Sequence, residues 1–202
     1  MATVAGDFEA IVLAAGSGSR FGGGKLIAPW AGGVLIEGAL AAAFAAPARR
    51  VIVVTGADAD QVAPVALAFA ETIGAGERLR IVHAADHAEG MGASLRRAAA
   101  ELAPRVGAFV FLGDMPRIPH GVLNDLAAAV RAGAPAAAPV FQGQRGHPVL
   151  IGPDLAPDLR DLSGDAGARG VLKSLGDRLA LVEAPDDGVL FDVDRPSDLD
   201  RE

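Results

Sequence analysis

The chain has 202 residues, 51% of them hydrophobic and 21% charged, so it is long enough for one domain with a full core and too apolar to be disordered. A formal net charge of −7 argues against nonspecific nucleic-acid binding, and the absence of cysteine excludes disulfides and thiolate metal sites. No signal peptide is recognisable and no apolar run approaches the ~18 residues of a membrane span. We therefore predict a single domain over residues 1–202 in the cytoplasm, with no membrane or nucleic-acid partner.

Strand-like and helix-like segments alternate through the first 140 residues. Buried strands are predicted at residues 10–14, 51–55, 79–83, 108–112 and 136–140. Helices are predicted at residues 34–46, where Pro47 ends the segment, from an N-cap at Asp58 to residue 70, and at 90–103 and 119–131. This alternation predicts a parallel sheet covered by helices on both faces.

The pattern changes beyond residue 140. Residues 141–151 predict a turn followed by an extended segment that crosses the site, and residues 158–165 are polar and rich in turn formers. A short helix is predicted at residues 168–175, and strands are predicted at 179–183 and 189–193. Pro196 stands at the expected start of a last helix.

A glycine-rich loop follows the first strand. It contains Gly16, Gly18 and three consecutive glycines at 22–24, and its only charged residues are Arg20 and Lys25. Glycines allow successive amide N–H groups to point into one concavity, and a concavity that also carries two cations suits a polyphosphate. A flexible glycine-rich turn is the alternative interpretation.

The common phosphate-loop patterns do not fit this segment. The dinucleotide pattern G-x-G-x-x-G fails because Phe21 occupies the position of the third glycine, and the P-loop pattern fails because Leu26 follows the lysine. The lysine itself is informative, since only Lys25 and Lys173 among 18 basic residues are lysine. A compact ammonium group is the kind of charge that follows a reacting phosphate.

Open α/β sheets bind ligands outside the carboxyl ends of their strands. In the predicted sheet these ends carry residues 14–25, 55–58, 83–94 and 114–116, so we expect the chemistry-bearing residues to gather at one edge. Asp114 follows an apolar strand and is either a Mg²⁺ ligand or a helix N-cap. Asp194 is similar, since it caps the last helix or faces the site.

The histidines and Ser94 suggest other chemistries. His83 and His87 are four residues apart, but no third zinc ligand is obvious and the segment lacks helical pair geometry. His147 is either a hydrogen-bonding residue that faces the substrate or a structural residue. Covalent chemistry at Ser94 is disfavoured because Arg96 stands where a nucleophile elbow requires glycine.

A series of short motifs runs through the chain in a fixed order. The loop contains the signature L-A-A-G-x(n)-R-F-G-x(n)-K at residues 13–16, 20–22 and 25. Further motifs are V-V-T-G at 53–56, E-G-M-x-x-S-L at 89–95, G-D-M-P at 113–116, R-G-H-P-V at 145–149, G-D-x-G-A-R at 164–169 and D-V-D-x-P at 192–196. Each is weak alone, but together they cover nearly the whole chain and resemble the MobA-like nucleotidyltransferases, and within that family the molybdenum cofactor cytidylyltransferases most closely. Residues 33–36 depart from the family's usual Pro-Leu-Leu segment before the first helix.

The resemblance implies a Rossmann-like, three-layer α/β/α fold with a nucleotide-binding half at residues 1–140 and an acceptor-binding half at 141–202. It implies Mg²⁺-dependent transfer of a nucleotidyl group to the terminal phosphate of a pterin cofactor, with release of pyrophosphate. Because Ala15 stands where guanylyl-transferring relatives resemble L-A-G-G, its methyl group should narrow the loop beside the base, and we predict CTP as the donor. A molybdoenzyme apoprotein or its chaperone is a conceivable further partner.

The same resemblance assigns residues to roles by motif match. Residues expected near the nucleotide are Leu13, Ala14, Ala15, Gly16, Gly18, Lys25, Thr55, Asp86 and Ser94. Arg20 and Lys25 are expected at the triphosphate and, with Asp114, in catalysis. Asp114 and Asp194 are expected to hold the metal, and Arg145 and His147 to lie toward the acceptor.

Two rival functions remain open. One is a sugar-phosphate or alditol-phosphate nucleotidyltransferase of the same fold, although the chain lacks the long C-terminal extension that such enzymes often add. The other is a non-catalytic nucleotide-binding chaperone that delivers cofactor to a target enzyme. Intact Arg20, Lys25, Asp114 and Asp194 count against a loss of catalysis.

Overall fold

The computed structural model describes residues 7–164 and 167–201. The strands are β1 (Phe8–Ala14), β2 (Pro29–Trp30), β3 (Gly33–Val34), β4 (Val51–Thr55), β5 (Leu79–His83), β6 (Gly107–Leu112), β7 (Ala136–Phe141), β8 (Gln144–Arg145), β9 (Val149–Ile151) and β10 (Leu179–Glu183). The α-helices are α1 (Ile36–Ala45), α2 (Ala59–Thr72), α3 (Met91–Ala99), α4 (Gly121–Arg131) and α5 (Arg169–Leu175).

One large sheet forms the centre of the fold, with strand order β10-β7-β9-β6-β1-β4-β5. β1 pairs in parallel with both β4 and β6, and β5 extends the parallel arrangement beyond β4. β9 is antiparallel to both β6 and β7, whereas β10 is parallel to β7, and β8 pairs with β7. The prediction of a mostly parallel sheet is confirmed, but the antiparallel insertion of β9 was not predicted.

Both faces of the sheet are covered by helices. Val12 of β1 belongs to a buried cluster that includes α1, α2 and α4, while its neighbour Ile11 belongs to a second cluster with α3 and α5. Successive strand residues point to opposite faces, so β1 contributes to both clusters at once. The predicted three-layer α/β/α arrangement is therefore confirmed.

The beginning of α1 differs from the prediction by two residues. Val34 was expected to be helical, but it forms the β2–β3 ribbon, and α1 starts at Ile36. The amide N–H of Val34 donates to Oε2 of Glu37 at 3.1 Å, so a side chain in the first turn of the helix holds the segment that leads into it. This is the same segment in which the sequence departs from the family pattern.

Two further helix predictions need correction. Asp58 occupies the N-cap position of α2, but its side chain makes no capping hydrogen bond. Helix α3 ends at Ala99 rather than at residue 103, because the N–H groups of Glu101 and Leu102 donate to carbonyl oxygens three residues back instead of four.

The predicted strand at residues 189–193 is wrong. Asp187–Val189 form a 3₁₀ turn in which Oδ1 of Asp186 accepts the N–H of Gly188 at 2.9 Å, and residues 191–194 follow without regular structure. The last helix is a 3₁₀ segment, Pro196–Arg201, and another 3₁₀ segment spans Ala156–Asp161. Residues 165 and 166 belong to the G-D-x-G-A-R motif, and residue 165 also ends the predicted turn-rich segment; both lie outside the described residues.

Among the described residues, no helix is long and apolar enough to cross a membrane.

Candidate active site

Two adjoining cavities open at the carboxyl edge of the sheet. The larger, of about 600 Å³, is lined by Leu13, Ala15, Gly16, Ser17, His87, Ala88, Gly90, Met91, Ser94, Leu112 and Asp114. The smaller, of about 200 Å³, is lined by Leu13, Met91, Leu95, Val110, Leu112, Arg145, Gly146, His147, Val149, Ala168, Arg169 and Leu172. Leu13, Met91 and Leu112 line both, so one wall continues from one cavity into the other.

An acid–cation cluster lies at the edge of the larger cavity. Nζ of Lys25 is 2.6 Å from Oδ2 of Asp114 and 3.7 Å from Oδ1 of Asp194. Nη1 of Arg20 reaches Oδ2 of Asp194 at 3.2 Å. The Lys25 side chain is only 13% exposed, whereas that of Arg20 is 77% exposed. Four residues that the sequence placed in one site are therefore together, with the lysine ammonium between the two carboxylates.

The backbone fixes the two aspartates in this arrangement. Gly113 donates its N–H to the carbonyl oxygen of Leu13 at 2.9 Å, which extends the pairing of β6 and β1 up to Asp114. The N–H of Val193 donates to the carbonyl oxygen of Asp114 at 3.0 Å, which brings the C-terminal segment onto the end of β6. Asp194 follows directly, so its carboxylate lies beside that of Asp114.

Neither aspartate caps a helix. Helix α4 begins only at Gly121, and the carboxylate of Asp114 is paired with Lys25. At the last 3₁₀ segment the capping residue is Asp198, whose Oδ2 accepts the N–H groups of Asp194 and Arg195 at 3.0 and 2.8 Å. The side chain of Asp194 is therefore free to face the site, which resolves the alternative left open by the sequence.

Asp192 adds a third carboxyl group that the sequence analysis did not single out. Partial desolvation raises the pKa of Asp192, and the negative charges of Asp114 and Asp194 raise it further. The signal was present in the sequence, because the D-V-D motif contains both aspartates. This corner of the molecule thus concentrates negative charge around Lys25.

The carboxylates at this corner fit a divalent cation in part. No group of three or more histidine, aspartate or glutamate side chains within the described ranges has the geometry of a metal site. Asp114 and Asp194 do converge on one cation, the ammonium of Lys25. Mg²⁺ typically takes only one or two protein carboxylates and completes its octahedron with water and phosphate oxygens. The pair therefore suits a metal that arrives with a phosphate ligand.

The glycine loop divides into two parts. The carbonyl oxygen of Gly18, which has a φ of +55°, accepts the N–H groups of Phe21, Gly22 and Gly23 at 2.9, 3.1 and 3.2 Å. These three amides are consequently not available to a ligand. The amide N–H groups of residues 16–20 have no partner in the part of the chain that the structure describes. Amide donors that could meet a phosphate are thus limited to the first half of the loop.

The residues expected near the nucleotide occupy different environments. Leu13, Ala15, Gly16 and Ser94 line the larger cavity. Ala14 and Thr55 are buried, and Oγ1 of Thr55 contacts the carbonyl oxygen of Val82 at 3.5 Å, so both support the cavity from behind.

Asp86, also expected near the nucleotide, is engaged elsewhere. Its Oδ2 accepts a hydrogen bond from Nη2 of Arg96 at 2.5 Å, and this bond lowers the pKa of the Asp86 carboxyl group. Arg96 also contacts Glu89 and donates to the carbonyl oxygen of Leu162. Asp86 therefore acts here as part of an ion-pair network beside the cavity rather than as a lining residue.

The smaller cavity combines two arginines with a buried histidine. Burial lowers the pKa of His147; the backbone of Val110 and the charge of Asp114 oppose this, while Arg145 and Arg169 add to it. Nδ1 of His147 is buried and has no hydrogen-bond partner among the described residues. Arg145 and Arg169 likewise form no ion pair within those residues. Two unpaired guanidinium groups and a neutral imidazole therefore face one apolar-walled space.

Arg169, His87 and Met91 line these cavities but received no role from the sequence. Arg169 and Met91 lie within motifs that the resemblance identified, so the motif matches could have indicated them. His87 was considered only as half of a zinc pair; its ring centroid is 6.3 Å from that of His83, and its Nδ1 is 2.9 Å from the carbonyl oxygen of Ala84. That hydrogen bond joins residues only three apart, but the packing of the ring against the strand end at Gly56 depends on the tertiary structure.

Comparison with known proteins identifies the class. A family model described as the MobA-like NTP transferase domain matches residues 10–179. The chain therefore belongs to the MobA-like NTP transferase family, as its motifs predicted, and it is a nucleotidyltransferase with a Rossmann-like α/β fold.

Individual relatives span nearly the whole chain. Nicotine blue oxidoreductase from Paenarthrobacter nicotinovorans is 31% identical over 192 residues, which cover 91% of this chain and 90% of that protein. Molybdenum cofactor cytidylyltransferase from Escherichia coli strain K12 is 26% identical over 190 residues, covering 94% and 92%. The crystal structure of Rv0371c from Mycobacterium tuberculosis H37Rv superposes with a TM-score of 0.80 at 25% identity over 98% of both chains. A manganese complex of Rv0371c has a TM-score of 0.74 at 24% identity, covering 96% and 97%.

Proposed function

We propose that the protein transfers CMP from CTP to the terminal phosphate of molybdopterin or its molybdenum cofactor. In this reaction an oxygen of the acceptor phosphate attacks the α-phosphorus of CTP, and a new P–O–P linkage forms. The bond between the α-phosphorus and its β-bridging oxygen breaks, and pyrophosphate leaves. The observation that best supports this proposal is the position of Lys25 between Asp114 and Asp194, at the edge of a cavity that adjoins a second, arginine-lined cavity.

The larger cavity supplies the groups that a nucleoside triphosphate requires. Its volume lies within the range typical of small-molecule sites. The free amide N–H groups of residues 16–20 donate to phosphate oxygens, and Arg20 and Lys25 neutralise the triphosphate. Phosphoryl transfer asks a protein mainly for positioning and charge stabilisation, so these groups account for much of the required chemistry.

Asp114 and Asp194 would hold Mg²⁺ in this scheme. The metal supplies positive charge that offsets the charge of the departing pyrophosphate. The manganese named for Rv0371c supports the use of a divalent ion by a structural neighbour. On nucleotide binding Lys25 would exchange its carboxylate partners for phosphate oxygens, which would leave both aspartates available as metal ligands.

The smaller cavity suits a phosphate monoester attached to a flat ring system. Arg145 and Arg169 bind the phosphate as planar, bidentate donors. The neutral His147 contributes a hydrogen-bonding nitrogen, and Val110 and Leu172 provide apolar contact surface. Because Leu13, Met91 and Leu112 line both cavities, an acceptor phosphate in the smaller cavity would lie near the nucleotide.

The relatives leave more than one substrate to consider. The Escherichia coli relative is named as a molybdenum cofactor cytidylyltransferase, which supports CTP and the molybdenum cofactor. The Paenarthrobacter relative is named as an oxidoreductase acting on nicotine blue, and its 31% identity makes that activity the second candidate. The acid–cation cluster favours phosphoryl transfer over redox chemistry, since it places two cations and two carboxylates at one edge of the cavity.

A pyrophosphate-release assay tests the proposal. The purified protein is incubated with Mg²⁺ and each of the four nucleoside triphosphates, with molybdenum cofactor, with a sugar phosphate or with no acceptor, and nucleotide binding without acceptor is measured by calorimetry. We expect release with CTP only when the acceptor is present. A parallel assay follows the absorbance of nicotine blue with reduced nicotinamide cofactors. Acceptor-independent binding without turnover would indicate a chaperone, release with a sugar phosphate would indicate the rival transferase, and nicotine blue turnover would indicate the second candidate.

A further inference from the structure

His87 lines the larger cavity and lies far along the chain from the residues of the acid–cation cluster. The fold fixes the orientation of its ring. Its Nδ1 is 2.9 Å from the carbonyl oxygen of Ala84, and its backbone N–H donates to the same oxygen at 3.2 Å. A carbonyl oxygen can only accept a hydrogen bond, so Nδ1 carries the proton. In a neutral imidazole the other nitrogen, Nε2, is then an acceptor.

Close backbone packing restricts the ring from a second direction. Gly56 follows β4, and a Cβ atom at this position would lie 2.8 Å from Cγ of His87 and 2.4 Å from the carbonyl oxygen of Ala15. The absence of a side chain there lets the imidazole lie against the end of the strand. With Nδ1 and Cγ facing the protein, the ring edge left to face the cavity carries Nε2.

No described residue satisfies Nε2 of His87. The two nearest carboxylates along the chain, those of Asp86 and Glu89, are both paired with Arg96. The small residues Ala15, Gly16, Ala88 and Gly90 line this cavity together with larger ones, among them Leu13 and Met91. A flat heterocycle would fit beside the small residues, and Nε2 is the acceptor that the His87 side chain offers to it there.

We infer that His87 reads the base of the nucleotide, with Nε2 accepting a hydrogen bond from the exocyclic 4-amino group of cytosine. This inference rests on the proposed use of CTP. Uracil presents an oxygen at the same position, and two acceptors facing each other repel. A site built to hydrogen-bond a substrate group discriminates strongly against the analogue that lacks it, because the site's polar atom is left unpaired. His87 is thus a specificity-determining residue for an amino-bearing pyrimidine.

The test measures binding of nucleotides by calorimetry in the presence of Mg²⁺ and without acceptor, at about pH 8, above the usual titration range of imidazole. The ligands are CTP, UTP, the pyrimidin-2-one riboside triphosphate that lacks the 4-amino group, and inorganic tripolyphosphate. Wild-type protein is compared with His87→Phe, which keeps a flat ring without an acceptor, and with His87→Gln, which restores a side-chain acceptor. His83→Phe is the matched control, since His83 is a neighbouring histidine that does not line either cavity.

We expect wild-type protein to bind CTP at least about tenfold more tightly than UTP or the pyrimidin-2-one analogue. In His87→Phe these ratios should fall to within about twofold, while tripolyphosphate affinity stays unchanged; His87→Gln should recover part of the preference, and His83→Phe should retain all of it. In a double-mutant cycle, the loss of binding affinity caused by His87→Phe and the loss caused by removing the 4-amino group should not add, because both remove the same hydrogen bond.

An unchanged CTP preference in His87→Phe, or equal binding of CTP and the pyrimidin-2-one analogue by wild-type protein, would overturn the inference. These results are separable from the proposed reaction. Transfer of CMP to molybdenum cofactor, together with an unaltered base preference in His87→Phe, would reject the role of His87 alone. If His87→Phe abolishes a preference for CTP but CMP is not transferred to any pterin acceptor, the proposed acceptor is rejected and the role of His87 stands.

Discussion

The backbone N–H of Val193 donates to the carbonyl oxygen of Asp114 at 3.0 Å, and this contact joins two segments that are far apart in the chain. One hydrogen bond thus connects the chain just after β6 to the C-terminal segment, which does not itself form a strand. The carboxylates of Asp114 and Asp194 consequently share Lys25. The proposed metal site therefore depends on a single crossing of two chain segments, and the following predictions test its parts.

The first prediction concerns the two aspartates. Asp114→Asn and Asp194→Asn should each lower turnover on the order of 10²–10³-fold with little change in melting temperature, because each removes a ligand of the proposed metal, whose positive charge would stabilise the transition state. The double variant should be little worse than either single variant, since the two act as a unit. Mg²⁺-dependent pyrophosphate release and melting curves measure both effects.

Asp198 provides the matched control for this pair. It accepts two backbone N–H groups and lies in the same segment, so Asp198→Asn should lower the melting temperature while Mg²⁺-dependent turnover persists. An Asp114→Asn protein that is destabilised but fully active would reject the metal role.

The second prediction concerns Lys25. Lys25→Ala should weaken triphosphate binding and slow transfer, because a charge-assisted phosphate contact is lost, and Lys25→Arg should also be impaired because a planar fork does not replace a point charge. In the absence of nucleotide, Lys25→Ala should bind Mn²⁺ more tightly than wild type, since the ammonium no longer competes for Asp114 and Asp194.

Titration with Mn²⁺ followed by electron paramagnetic resonance measures this gain. Lys173→Ala is the control, because Lys173 is the only other lysine of the chain and is exposed on α5. Wild-type kinetics in Lys25→Arg, or unchanged Mn²⁺ affinity in Lys25→Ala, would contradict the assignment.

The third prediction concerns Ala15, which is 4% exposed and lines the larger cavity. We expect CTP to be used over GTP, and Ala15→Gly should raise relative GTP use because the pocket gains the volume of one methyl group. One methyl is worth about 1–3 kcal/mol, so partial GTP use by wild type is compatible with the prediction. Competition assays with both nucleotides measure the ratio, and a clear wild-type preference for GTP would refute it.

The fourth prediction concerns the pH dependence of stability. Desolvation and two neighbouring carboxylates raise the pKa of Asp192, so the folded state binds its proton more tightly than the unfolded state. Its ionisation therefore destabilises the fold progressively as the pH rises above the unfolded value of 3.8, toward and through the folded pKa. Asp192→Asn should raise the melting temperature at neutral pH, and this gain should vanish below pH 3.8.

Asp198 should show the opposite sign. Hydrogen bonds from the backbone N–H groups of Arg195 and Asp194 lower its pKa, so its contribution is stabilising above the unfolded value of 3.8 and is lost as the pH falls through the folded pKa. Asp198→Asn should therefore lower the melting temperature at neutral pH and converge with wild type in acid. Equal pH profiles for the two variants would show that their environments do not differ in this way.

The fifth prediction concerns Gly56. Gly56→Ala should destabilise the protein by about 1–3 kcal/mol and weaken nucleotide binding, because the added Cβ meets the carbonyl oxygen of Ala15 and the ring of His87. Gly170→Ala is the control, since a Cβ at that helical position meets no atom within 4 Å. Chemical denaturation measures the stability of both variants, and calorimetry measures their nucleotide binding. Unchanged stability and binding in Gly56→Ala would show that the strand end can relax.

Local sequence patterns determined most of the regular structure. The apolar runs predicted β4, β5 and β10 with their observed ends, and β1, β6, β7 and α5 to within a few residues. Periodicity, proline and glycine are local signals, so they locate elements well when each element buries a continuous face. The loop motif and the two aspartates were also recognisable, because phosphate chemistry demands glycine, cations and carboxylates in a small number of patterns.

The tertiary structure decided how those pieces meet. The three residues of β9 carry no local sign that they insert antiparallel between β6 and β7, and residues 189–193 are as apolar as a strand although their backbone groups bond to other loops. Likewise, the sequence left open whether Asp114 and Asp194 cap helices. For His87 it suggested only a pairing with His83 as metal ligands. For β9 and the two aspartates the deciding contacts are hydrogen bonds or ion pairs to residues distant in the chain. His87 bonds the carbonyl oxygen of Ala84 three residues earlier, and its packing against Gly56 brings the ring to the cavity. Long-range contacts and packing of this kind depend on three-dimensional proximity, which periodicity and composition do not encode.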